Sequence, residues 1–157
     1  MAGCSPRASA VLSGLLGLVA VAAGDDRAAS AGRWQITHVE VNGKRVDPEF
    51  TDMLAVDYAA DGSWVVLLKT VPVGEGASEV DETKTPKAFE METRGAGGKP
   101  GRRYVGIYDT TENTRRLCFV SADRPRPREF RSTANGGEIL VELEKAMPTR
   151  GLRRKES

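Results

Sequence analysis

The chain has 157 residues, 39% hydrophobic and 29% charged, the balance of a soluble globular protein rather than a disordered tail or a membrane bundle. That length holds one ordinary domain plus a processed leader. Lys and Arg number 23 against 22 Asp and Glu, and removing a leader that carries Arg7 makes the two equal, so no global charge draws the chain to nucleic acid.

Residues 1–23 read as a secretory signal peptide. Arg7 is the positive start, Ala10 to Ala23 is an apolar run, and small residues at Ala20, Ala22 and Gly24 suit cleavage after Ala22 or one or two residues later. The run is shorter than the roughly 20 residues a membrane-crossing helix needs, although an uncleaved anchor is the rival reading. Cys4 precedes the apolar run, the wrong side for a lipid-modified cysteine. The expectation is a secreted or periplasmic protein that does not span the membrane once the signal is removed.

Residues 24–31 are small and polar and read as a flexible lead-in. The segment from Arg33 to Val41 is a strand, closed by the tight-turn pair Asn42-Gly43. Its apolar phase changes from Trp34/Ile36 to Val39/Val41, which predicts a β-bulge near Thr37. Asp47-Pro48 starts a short helix near residues 47–53, with Asp47 as cap and Pro48 in the first turn. Leu54, Val56 and Tyr58 alternate as a strand, and Asp61-Gly62 turns into a strand from Ser63 to Lys69 that is apolar on both faces. Gly74-Glu75-Gly76 reads as a turn and Ser78 to Asp81 as a short strand, with a loop at Thr83–Pro86. Lys87 to Thr93 alternates again, with Phe89 and Met91 inward.

A hairpin from Arg102 to Ser121 follows, then a Pro/Arg corner and the start of another strand near Phe130. Ile139, Val141 and Leu143 make the last alternating strand. Residues 147–157 have no periodicity and read as a disordered basic tail. Eight or nine short strands joined by turns, with no helix long enough to separate parallel strands, predict an all-β fold. The expected form is an antiparallel up-and-down meander closing into a small barrel over residues 32–146.

Several short signatures occur in order along this domain: Gly32-x-Trp34, Asn42-Gly43-Lys44, Asp81-x-Thr83-Lys84-x-Pro86-Lys87-Ala88, Gly106-Ile107-Tyr108, Leu117-Cys118-Phe119 and Arg126-Pro127-x-Glu129-Phe130. In that order they resemble a planctomycete-type family of small secreted domains of uncharacterised function. The resemblance runs from about Gly32 to Leu143 and implies a lipocalin-like barrel, the Gly-x-Trp being similar to the one that opens lipocalin barrels. It brings no catalytic residues. The chain departs from the family pattern at Glu112, where a turn glycine is usual, and at Arg115, where an apolar residue is usual.

The chemistry-bearing residues are sparse. His38 is the lone histidine, without a serine motif to make a triad. Carboxylates cluster at Glu79/Asp81/Glu82, at Glu90/Glu92 and at Glu138/Glu142/Glu144, in the spacing of solvated strand faces. No Cys-x-x-Cys, histidine pair or calcium loop is present, and Gly95 to Lys99 lacks phosphate-loop spacing. No catalytic residue, metal site or cofactor is expected, and the chain is read as a non-enzyme. Cys118, in the strand Leu117-Cys118-Phe119-Val120, reads as a buried inert thiol.

Eight arginines and four acids lie between Arg102 and Arg131. They make either a solvated face paired with acidic strands or a surface for an anionic envelope polymer or protein. Arg115 is distinct, because it shares strand phase with the core-facing Leu117 and Phe119. Two readings of the interior stand. Trp34, Tyr58, Trp64, Phe89, Tyr108 and Phe119 fill a solid core, or they line a site for a small apolar or anionic amphipathic ligand with Arg115 at its mouth.

Overall fold

In the computed structural model, which describes residues 25–147, a single antiparallel sheet of nine strands closes on itself, all but the second strand following one another in chain order. The strands are β1 (Gly32–Val41), β2 (Lys44–Arg45), β3 (Leu54–Tyr58), β4 (Ser63–Leu68), β5 (Val71–Asp81), β6 (Lys87–Arg94), β7 (Pro100–Thr110), β8 (Thr114–Ser121) and β9 (Ile139–Lys145). Pairing of β1 with β9 shuts the barrel, leaving β2 as a two-residue flap hairpinned onto β1. Closure removes the open edges that a meander would otherwise present. The expected all-β barrel is the fold of the described residues; the segment read as a signal peptide, and the segment read as a basic tail from residue 148 on, lie outside them.

Local chemistry accounts for the turns and the bend. Thr37 has no partner in the β1–β9 ladder, which passes from Ile36↔Leu143 to His38↔Glu142. This bulge is the source of the phase change in β1. Asn42 and Gly43 both adopt left-handed backbone, with φ of 52° and 71°, as a tight two-residue hairpin requires. At α2 (Pro48–Thr51) the Asp47 carboxylate accepts the Glu49 N–H at 2.9 Å, the expected cap.

Three segments differ from expectation. Of the segment read as a flexible lead-in, residues 25–31 are not free: α1 (Asp25–Ala29) is helical, and the buried Ser30 behind it accepts the Trp34 indole N–H on its carbonyl at 2.8 Å. The contacts of α1 outweigh its polar composition. Gly74-Glu75-Gly76 is no turn but the interior of the eleven-residue β5. Gly76 faces Trp64 on β4, and a Cβ there would lie 2.5 Å from the indole ring. The glycine makes room for a ring rather than reversing the chain. Finally, Phe130 starts no strand, since residues 122–138 form one long connection between β8 and β9.

Two apolar layers result. The inner one fills the barrel with Trp34, Ile36, Val56, Trp64, Phe89, Tyr108, Leu117 and Leu143. The second lies on the outer face of β7–β9, where Phe130 of the long connection packs over Ile107, Cys118 and Leu140. Strand alternation assigns neighbours to opposite layers: Leu117 and Phe119 point in, Cys118 points out.

Candidate functional site

The same alternation carries Arg115 into the barrel. Two residues before Leu117, it sits opposite Thr110 on β7 and Leu143 on β9, and only 6% of its surface is exposed. Its guanidinium carbon lies 4.6 Å from the centre of the Tyr58 ring and 5.6 Å from that of Tyr108. Neither Nε nor Nη1 has a hydrogen-bond acceptor among the described residues. None of the ion pairs found among the described residues includes Arg115.

Beside it lies a largely apolar pocket, partly open to solvent. A cavity of about 150 Å³ is lined by Arg115, Tyr58, Trp64, Phe89 and Phe119, together with Ile36, Val56, Val66, Ser78, Met91, Leu117, Val141 and Leu143. Five of the seven residues singled out from the sequence meet there. Trp34 and Tyr108 do not: they are fully packed, at 0% and 1% exposed. The apolar lining missed earlier was signalled only by strand alternation, which does not separate a residue that touches a cavity from one that fills the core.

Arg115 is placed within the barrel rather than at its mouth, because α1 covers that end. The Asp26 carboxylate accepts from Tyr108 Oη at 2.9 Å and from Lys87 Nζ at 2.7 Å, while its N–H donates to Glu82 at 2.8 Å. Arg27 reaches the Ser78 carbonyl on β5 at 3.5 Å. Burial alone would push the Asp26 carboxyl up, but the hydrogen bonds from Lys87 and Tyr108 outweigh it and hold the group below its usual range. Burial, then the hydrogen bond to Asp26, drives the Tyr108 phenol well above its ordinary value. Burial raises the Tyr58 phenol as well, and the Arg115 charge opposes the rise.

The remaining arginines are dispersed. Arg116 pairs with Asp109 at 2.6 Å and stacks on Phe130, Arg103 and Arg126 both approach Glu90, and Arg131 pairs with Glu129. Arg124 donates to the Gly136 carbonyl at 2.6 Å. These contacts consume much of the local positive charge on the surface. His38 Nε2 pairs with Glu40 on its own strand at 2.8 Å. Cys118 is fully buried, its thiol pushed up by burial, and it reaches the Arg131 carbonyl at 3.5 Å. Among the described residues no group of three or more His, Cys, Asp or Glu is placed to hold a metal, and no helix is long and apolar enough to cross a membrane. Comparison with protein-family models, curated proteins and solved structures finds no match.

Proposed function

We propose that the protein is a non-catalytic binding barrel that takes a small apolar or amphipathic molecule into its interior and works outside the cytoplasmic membrane. The observation that carries the reading is the apolar cavity of about 150 Å³ inside the closed sheet. Eight-stranded barrels are wide enough either to be filled or to hold one small ligand, and an apolar cavity of this size accommodates a benzene-sized molecule. The signal-like leader supports the location, and the lipocalin-like family resemblance supports the mode of binding. Fractionation that leaves the mature chain in the cytoplasm would remove the location from this proposal.

The test is titration with toluene, followed through the side-chain methyl resonances of Val66, Met91 and Leu143. Saturable shifts at these three, with none at the outer-layer Leu140, are the expected result. A folded protein whose interior methyls do not respond overturns the reading.

A further inference from the structure

We infer that the interior site takes an anion: a small monocarboxylate, aryl or short aliphatic, whose carboxylate lies against Arg115. This rests on the interior-binding reading above and names its ligand class. The barrel buries Arg115 to 6% exposure and leaves its Nε and Nη1 without an acceptor among the described residues. A buried charge is ordinarily paired, or it neutralises by shifting its pKa, and arginine does not deprotonate in proteins. The counter-charge therefore has to come from elsewhere. Asp26 and Glu82, the carboxylates at the same end of the barrel, are already engaged, Asp26 by Tyr108 and Lys87 and Glu82 by the Asp26 N–H.

The unpartnered groups are also all of one kind. Of the four buried side-chain nitrogens without a partner among the described residues, three belong to Arg115 and Trp64, and both residues line the cavity. Donors alone call for a ligand rich in acceptors. One cation suits a monoanion, since a dianionic phosphate would bring a second charge into an apolar chamber. The guanidinium carbon lies over the Tyr58 ring, a contact that takes up none of the N–H groups a carboxylate would meet. Apart from Ser78 the rest of the lining is apolar or aromatic, and a volume of about 150 Å³ suits a hydrocarbon of roughly the bulk of a benzene ring.

The experiment compares benzoate, benzyl alcohol and toluene on the wild-type chain and on Arg115→Leu, with calorimetry for affinity and NMR for the Arg115 Nε–H resonance. The wild type is expected to prefer benzoate over benzyl alcohol by about tenfold or more, with the Arg115 Nε–H moving downfield for benzoate alone. Arg115→Leu is expected to lose that preference and keep toluene. If toluene binds but benzoate is no tighter than benzyl alcohol, the anion inference falls and the cavity reading stands. Benzoate preference that survives Arg115→Leu also overturns it, because the anion is then held elsewhere. If none of the three binds, the cavity reading itself has failed. Should Arg115→Leu not fold, the wild-type Nε–H resonance decides: no movement with saturating benzoate sinks the inference.

Discussion

Arg115 and Gly76 show how much one residue can decide inside a barrel of this size. The strand phase of Arg115 is readable from Leu117 and Phe119, but its depth is not. Depth depends on α1 covering that end and on Tyr58 and Tyr108 approaching from β3 and β7. Gly76 teaches the opposite lesson, since its neighbours Gly74 and Glu75 made it look like a turn. A Cβ at Gly76 meets the Trp64 ring and the Glu92 carbonyl, whereas one at Gly74 finds only Val66 Cβ at 3.9 Å. Gly76→Ala should therefore destabilise the fold by about 1–3 kcal/mol through overpacking. Gly74→Ala should be neutral or slightly stabilising, by about 0.4–1 kcal/mol at most, through reduced freedom of the unfolded chain. Urea denaturation midpoints of the two variants check this pair, and equal effects would contradict the role given to Trp64.

Among the elements, α1 is the one whose tertiary role composition hides. Asp25 to Ser30 are small and polar, with no apolar stripe to announce a docking face. What holds the helix is Asp26 under Tyr108 and Lys87, with the Ser30 carbonyl over the Trp34 indole. Because the folded-state pKa of Asp26 lies below its ordinary value, the carboxylate contributes stability above the unfolded pKa of about 3.9. That contribution is lost as pH falls through the folded value. Lys87 is the mirror case: its pKa is raised, so its share is present below about 10.4 and is lost as pH rises through the folded value. Asp26→Asn should lower stability near neutral pH by on the order of 1 kcal/mol, since Lys87 is partly solvated. It should also flatten the acid limb below about pH 4. Thermal denaturation across pH, with the tryptophan emission as probe, reads both effects. An unchanged acid limb would mean that Asp26 does not latch α1.

At the scale of the whole molecule, the barrel depends on its last strand. β9 pairs with β8 on one side and with β1 on the other, and Leu143 sits opposite both Ile36 and Arg115. A chain ending at Glu138 loses both ladders and exposes two sheet edges. It should show no cooperative unfolding transition and no slowly exchanging amides in β1, as judged by denaturation and hydrogen exchange. A truncated chain that still unfolds cooperatively would show that closure is dispensable. The sequence by itself determined the all-β class, the bulge at Thr37, the cap at Asp47 and the inward parity of Arg115. Each of these follows from side-chain period or from the backbone preferences of a few adjacent residues. Only the tertiary structure decided that α1 docks, that Gly76 yields to Trp64 and that a largely apolar pocket remains beside Arg115. Those outcomes depend on how side chains from strands far apart in sequence share one enclosed volume, which no local pattern records. For Arg115 they turn an inward-facing charge into a buried one with no ion-pair partner found among the described residues.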